Sequence, residues 1–171
     1  AHWDHLGICK PAPDGDDICN GAVDNATGTA ALVALAEAQA KAGRPDRSIV
    51  FLAVTAEESG LLGSQYYADH PIYPLAKTVG GVNMDAFSMA GPAKNLTVIG
   101  MGKSDLDSYL AAAAQAEGRT PEAEPTPEKG YYYQSDHFSL AKKGVPMVYF
   151  EGGEDLVDGG RAAGAAAAAI A

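Results

Sequence analysis

The stretch RSIVFLAVTAEE, residues 47–58, decides the fold because it joins an apolar, β-branched run to two acidic side chains. Residues 47–55 have the composition of a strand that is buried on both faces of a parallel sheet, and we predict a central strand there. In open α/β sheets, ligands bind beyond the carboxyl ends of the strands. Glu57 and Glu58 are therefore candidate site residues, and the alternative is a pair of solvated loop charges.

Helical and strand-like segments alternate around this stretch. Residues 25–43 are rich in helix formers, with polar residues to cap the start and Gly43 placed to end the helix. Other apolar or helix-forming runs predict strands and helices at residues 61–69, 78–84, 95–100, 104–118 and 145–150. This alternation indicates an α/β fold with a mostly parallel central sheet flanked by helices on both faces. We expect one domain over residues 1–171.

Two segments lack the regular spacing of apolar residues that would indicate an amphipathic helix or strand. Residues 119–129 are rich in proline and glutamate, which predicts a surface loop that could form a rim or lid. Beyond Gly160 the chain is nearly pure alanine, which is a strong helix former but says nothing about function.

The charge of the chain excludes some classes of partner. Its 22 acidic and 12 basic residues give a formal net charge of −10. Such a chain is unsuited to binding a nucleic-acid backbone or an anionic membrane surface. No apolar run approaches the roughly 20 residues that span a bilayer, so we expect no membrane span.

The two cysteines, Cys9 and Cys19, lie in a polar stretch. They could form a short disulfide, which would suit an oxidising compartment, or they could be free thiols. Their spacing is not that of a Cys-x-x-Cys zinc or redox motif.

Histidines and acidic residues at the ends of predicted elements are candidates for chemistry. Asp4 follows His2 by two residues, a spacing suited to orienting an imidazole. Asp24 precedes the first long helix, where it could instead be an ordinary helix-start acid. Asp85 directly follows a predicted strand. His137, in Ser-Asp-His after three tyrosines, could equally be a histidine packed among aromatic rings.

Five segments of the chain resemble, in order and spacing, the co-catalytic two-zinc exopeptidase family. These segments are AHWDHLG, GAVDNATGTA, TAEESGLLGS, NMDAF and SDHFSLAKKGVP, and they span residues 1 to about 150. The family includes bacterial secreted leucine-type aminopeptidases and glutamate carboxypeptidase-like enzymes. The resemblance implies a zinc exopeptidase-like fold, present here as a partial domain that is incomplete at both ends.

The resemblance also implies roles for individual residues. His2 and Asp85 would hold one zinc ion, Glu58 and His137 the other, and Asp24 would bridge the two. Three ligand carboxylates, two Zn²⁺ ions and a bridging hydroxide sum to zero charge, which favours burial of the site. The peptide bond after Asp24 is commonly cis in this family.

Two further acids have implied catalytic roles. Glu57 would be the general base that takes a proton from the metal-bridging water, and Asp4 would support His2. We therefore expect zinc-dependent hydrolysis of peptide bonds at a chain terminus, with aminopeptidase activity favoured and a peptide as substrate.

Three alternatives remain open: a carboxypeptidase or dipeptidase of the same fold, a one-zinc acyltransferase similar to glutaminyl cyclase, and a metal-free binding domain. By analogy with bacterial relatives and from the two cysteines, the expected location is periplasmic or secreted.

Overall fold

The computed structural model describes residues 1–168. Its helices are α1 (Ala26–Ala42), α2 (Leu62–Asp69), α3 (Leu106–Ala116), α4 (His137–Ala141) and α5 (Gly160–Ala168). Its strands are β1 (Gly7–Ile8), β2 (Ile18–Cys19), β3 (Gly81–Asn83), β4 (Asn95–Ile99), β5 (Thr120–Ala123) and β6 (Met147–Gly152). The last three residues of the alanine run lie outside the described residues. Within residues 1–168, no helix combines the length and the apolarity needed to cross a bilayer.

The central sheet has four strands in the order β3, β6, β4, β5. β3 pairs in parallel with β6, and β4 pairs in parallel with β5, whereas β4 and β6 are antiparallel. Two of the three pairings are therefore parallel, and the predicted α/β fold with a mostly parallel sheet and flanking helices is confirmed. The buried core centres on β4 and β6, where Leu96 and Val98 pack against Ala114 of α3.

A separate antiparallel hairpin, β1 and β2, precedes α1. A disulfide joins Cys9 to Cys19 across this hairpin. Of the two alternatives for the cysteines, a short disulfide or free thiols, the structure contains the disulfide. The hairpin is exposed to solvent, and its isoleucines Ile8 and Ile18 are largely uncovered.

The prediction of a buried central strand at residues 47–55 is wrong for the described part of the chain. Only Val54 pairs, in a single parallel bridge with His2. Ile49 is 48% exposed and Phe51 is 40% exposed. An apolar strand becomes buried only when neighbouring strands and layers cover it, and an open groove separates this segment from β3.

The prediction of a loop at residues 119–129 is also wrong in part, because β5 occupies the first half of this segment. β5 lies at the edge of the sheet, where Pro121 pairs opposite Leu96. Proline lacks a backbone N–H and is tolerated in edge strands. An edge strand needs no regular apolar pattern, so the polar, proline-rich composition of this segment did not indicate a strand.

Asn25 fixes the start of α1 against the end of β3. Its Oδ1 accepts hydrogen bonds from the backbone N–H of Gly28 at 3.0 Å and of Ala86 at 3.3 Å. Its Nδ2 donates to the carbonyl oxygen of Met84 at 3.1 Å. The side chain is 2% exposed, and the peptide bond between Asp24 and Asn25 is cis, as the resemblance implies. These bonds hold Asp24 and Asp85 close together.

We expect Asn25→Ala to lower the free energy of unfolding by about 2 to 4 kcal/mol, because it removes a helix cap and leaves buried backbone groups without partners. Denaturant unfolding in the presence of a chelator would measure the effect on the fold alone. Asn20→Ala, at an exposed position in the same region, is the control and should change stability by no more than about 0.5 kcal/mol. Equal effects of the two substitutions would contradict this role of Asn25.

Candidate metal centre

Four separate parts of the chain meet at one edge of the molecule. The segment that ends at Val54 leads into Glu57 and Glu58, and β3 leads into Asp85. The start of α1 brings in Asp24. The N-terminal segment, which pairs with Val54, brings in His2. The structure thus places these acids close to His2.

His2, Asp24 and Asp85 form the first group of possible metal donors. The Nε2 atom of His2 lies 3.1 Å from Asp24 Oδ1 and 3.2 Å from Asp85 Oδ1. Donor atoms about 2.0 Å from a tetrahedral zinc ion are about 3.3 Å from one another, which matches these separations. One imidazole and two carboxylates are donors that zinc commonly binds.

His5, Asp24 and Glu58 form the second group. His5 Nδ1 lies 2.6 Å from Glu58 Oε1. The buried oxygens Asp24 Oδ1 and Glu58 Oε1 accept no well-aligned hydrogen bond within residues 1–168, although an imidazole nitrogen lies beside each of them. Unpaired buried acceptors of this kind fit a bound cation. Asp24 belongs to both groups, as a bridging ligand would.

The structure does not bring His137 to either group. Its ring is fully buried at the start of α4, with its centroid 4.8 Å from that of Tyr132 and 5.0 Å from that of Tyr149. Burial lowers the pKa of His137 to about 4, so the ring is neutral at pH 7. The ring is packed among aromatic side chains, and both of its nitrogens are buried without a hydrogen-bond partner among the described residues. The histidine beside Glu58 is instead His5, which the sequence analysis did not select.

Asp4 links His2 to the loop that carries Glu57. The carbonyl oxygen of Asp4 lies 3.1 Å from His2 Nδ1, and its carboxylate lies 3.7 Å from the same nitrogen. The carboxylate also accepts a hydrogen bond of 3.3 Å from the backbone N–H of Glu57. Asp4 thus contacts His2 as expected, and it ties the imidazole to the neighbouring acidic loop.

Two buried polar residues that sequence reasoning missed hold Asp85. The hydroxyl of Ser135 donates to Asp85 Oδ2 at 2.6 Å, and Asn83 Nδ2 donates to Ser135 Oγ at 2.7 Å. This chain of hydrogen bonds leaves Asp85 Oδ1 facing His2. Serine and asparagine are common in many contexts, so nothing in the sequence distinguished these two.

Burial and neighbouring charges shift the pKa values of Glu57 and His2. Burial, reinforced by neighbouring carboxylates, raises the pKa of Glu57 to about 7, even though His2 acts in the opposite direction. Burial alone would lower the pKa of His2, but its hydrogen bond to Asp85 and the nearby negative charge raise it to about 9. Glu57 belongs to neither donor group, and its Oε2 lies 3.9 Å from His2 Nε2.

Comparison with solved structures relates this arrangement to known enzymes. The chain is similar to an aminopeptidase from Aneurinibacillus sp. strain AM-1, with 28% identity over 77% of this chain and 31% of that chain, at a TM-score of 0.60. It is similar to BSAP, a zinc aminopeptidase from Bacillus subtilis, with 27% identity over 77% of this chain and 32% of that chain, also at 0.60. The chain thus spans about a third of the length of either aminopeptidase.

A third structure extends the likeness in fold. The glutaminyl cyclase of Porphyromonas gingivalis is 21% identical over 88% of this chain and 56% of that chain, with a TM-score of 0.58. At this identity only the fold is shared. A family model, described as peptidase family M28, matches residues 1–167, which is nearly the whole chain. This protein is a member of peptidase family M28.

Proposed function

We propose that the protein is a zinc-dependent exopeptidase that removes residues from the amino terminus of peptides. The observation that carries the proposal is the sharing of Asp24 between two donor groups, each with one imidazole, beside the buried acid Glu57. Membership of peptidase family M28 supports hydrolysis of peptide bonds. The two similar aminopeptidases favour action at the amino terminus over action at the carboxyl terminus.

Two zinc ions are the proposed cofactors. His2, Asp85 and Asp24 would hold one ion, and His5, Glu58 and Asp24 the other. Zinc in such a site polarises a peptide carbonyl and lowers the pKa of bound water. The clustered carboxylates would otherwise repel one another, so we expect metal to stabilise the fold as well.

Glu57 is the proposed general base. It lies beside His2 and outside both donor groups, so its carboxylate is free to take a proton from the attacking water and to pass it to the leaving amine. Asp4 would hold the Glu57 backbone and the His2 ring in fixed positions relative to each other. Its carboxylate accepts a hydrogen bond from the Glu57 backbone N–H, and its carbonyl oxygen contacts His2 Nδ1.

A periplasmic or secreted location is proposed on the strength of the Cys9–Cys19 disulfide. Disulfides persist in oxidising compartments and are rare in the cytosol.

A one-zinc acyltransferase is the second candidate function. It is compatible with the fold, which the Porphyromonas gingivalis glutaminyl cyclase shares. A second donor group argues for the hydrolase, and the number of bound ions separates the two candidates.

We expect two zinc ions per chain by elemental analysis after gentle dialysis. Asp24→Ala should lose both ions, because Asp24 is common to both groups, whereas Asp85→Ala and His5→Ala should each lose one. His70→Ala, at an exposed position, is the control for loss of a histidine and should keep both ions.

His137→Ala tests the competing assignment, in which His137 is a ligand. We expect it to keep both ions and to lower stability, because it removes a packed ring. Loss of one ion from His137→Ala, together with two ions in His5→Ala, would reverse the assignment of the second histidine ligand. A single ion in the unsubstituted protein would favour the acyltransferase.

We expect Glu57→Gln to keep both zinc ions and to lower kcat by about 10² to 10⁴-fold on aminoacyl substrates, which is typical of a lost general base. Glu37→Gln, on the exposed face of α1, is the control and should leave kcat unchanged. Near-normal turnover by Glu57→Gln with full metal occupancy would disprove the role of Glu57. N-blocked peptides, assayed in parallel, test the choice of terminus.

A further inference from the structure

Glu151 lies beside Asp85 at the carboxyl edge of the sheet. β3 and β6 are parallel, and Asn83 of β3 pairs with Tyr149 of β6. The same register, continued by two residues along both segments, brings Asp85 opposite Glu151. Side chains of a strand alternate between the two faces of the sheet, so Tyr149 and Glu151 point to one face. Asn83 and Asp85 also share a face, because both are hydrogen-bonded to Ser135.

Two further observations place Glu151 close to the metal centre. A Cβ added at Gly152 would lie 3.2 Å from the Cβ of Ser88, so β6 still runs beside the segment that follows Asp85. Burial raises the pKa of the Glu151 carboxyl, and the negative charge of Asp85 adds to that rise. Glu151 nevertheless belongs to neither group of possible metal donors. It is therefore an acid beside the centre with no role in holding metal.

Tyr149 fixes one oxygen of the Glu151 carboxylate and leaves the other open. The hydroxyl of Tyr149 donates to Glu151 Oε1 at 2.8 Å, and the tyrosine is 6% exposed. Burial and the nearby carboxylates raise the pKa of the Tyr149 hydroxyl, which therefore stays protonated and remains a donor. Oε2 of Glu151 accepts no hydrogen bond from residues 1–168, and the residue is only half-buried. One oxygen is thus free to accept a hydrogen bond from a ligand.

The described residues provide no cation for this carboxylate. Their lysines and arginines form ion pairs with acids that lie outside the site, namely Glu37, Asp69, Glu122 and Asp155. The negative charge of Glu124 also raises the pKa of Glu151, so the surroundings add to the negative charge. A desolvated carboxylate among other carboxylates is stabilised by a cationic ligand and destabilised by an anionic one.

We propose that Glu151 binds the α-ammonium group of the peptide substrate and so selects the amino terminus. This role rests on the proposed peptidase function. The ammonium group donates a charge-assisted hydrogen bond to Oε2, while Tyr149 holds the carboxylate in place through Oε1. The two proposed zinc ions would repel an ammonium group close to them, and the negative charge of Glu151 offsets that repulsion.

The same carboxylate acts against a carboxypeptidase activity. An enzyme that removes residues from the carboxyl terminus must bind the negatively charged end of its substrate. Glu151 would repel that group, and no lysine or arginine among the described residues pairs with an acid of the site. A single acid at this position therefore distinguishes between the two ends of a peptide.

The binding test compares L-leucine with 4-methylpentanoate, which has the same carboxylate and branched side chain but lacks the ammonium group. Calorimetry with the zinc-loaded protein measures both affinities without turnover. We expect leucine to bind at least tenfold more tightly, and Glu151→Gln to remove most of that advantage without weakening the binding of 4-methylpentanoate. Glu154→Gln, at an exposed position three residues further on, is the control and should change neither affinity.

The kinetic test separates binding of the amino terminus from the chemical step. On aminoacyl substrates, we expect Glu151→Gln to raise KM about 10- to 100-fold, to change kcat less than about threefold and to keep both zinc ions. Tyr149→Phe removes only the hydroxyl that fixes Glu151, so it should raise KM about 3- to 10-fold with kcat again nearly unchanged. A variant that merely disturbs the fold would lower kcat or metal content as well.

Three results would overturn the proposal. They are an unchanged leucine affinity in Glu151→Gln, an equal loss of affinity for leucine and 4-methylpentanoate, and the loss of a zinc ion, which would make Glu151 a metal ligand. If Glu151→Gln does not fold, Tyr149→Phe is used in the binding test. Selective weakening of leucine binding by that variant supports the proposal, and equal effects on both ligands oppose it.

Failure of the proposed peptidase function gives a different result. An unsubstituted protein that binds no zinc or hydrolyses no peptide would contradict that function. The affinities for leucine and 4-methylpentanoate can still be compared between the protein and Glu151→Gln, because neither ligand is hydrolysed. Loss of the preference for leucine in the variant would then identify Glu151 as an ammonium-binding residue, and an unchanged preference would refute that role.

Discussion

Asp24 belongs to both groups of possible metal donors, and the rest of the site is arranged around its carboxylate. Asp24, Glu57, Glu58 and Asp85 would repel one another at close range unless cations lie among them. The fold nevertheless brings all four together from three different elements. For Asp24 and Asp85, Asn25 ties the start of α1 to the end of β3 with two hydrogen bonds, to Met84 and Ala86, and it caps α1 with a third, from Gly28. The position of the acids is thus fixed by neutral backbone contacts, which leaves their charges available to bind metal.

The two donor groups differ in how firmly they are held. Asp85 is anchored by Ser135, and Ser135 by Asn83, within the interior. His5 lies at the base of the exposed hairpin, and Glu58 lies in the loop before α2. The side chains of His5 and Glu58 are 21% and 20% exposed, against 1% for His2 and 11% for Asp85. The second group is therefore the more exposed of the two. An added Cβ at Gly21 would lie 2.8 Å from the Cβ of His5, so Gly21 allows the close approach of that residue.

The parts of the molecule that the sequence predicted well are those set by local chemistry. The polar start of α1, with Asn25 as its cap, and the placement of Asp24 and Asp85 follow from caps and strand ends. The burial of residues 47–55 did not follow, because burial depends on neighbours that a sequence window does not contain. β5 was missed since edge strands lack an apolar period. The sequence does not distinguish His5 from His137 as the second histidine of the site, because a histidine beside aromatic rings and one beside an acid look alike until the chain is folded.

The error at residues 47–55 bears on function as well as on fold. That segment is apolar enough for a covered strand, and its carboxyl end leads into Glu57 and Glu58, yet within the described residues only Val54 pairs with another segment. His2 and the two glutamates are joined through this one segment, by the bridge at Val54 and the contact of Asp4 with Glu57. The position of this one segment therefore affects His2, Glu57 and Glu58 together, which are the proposed metal ligands and the proposed general base.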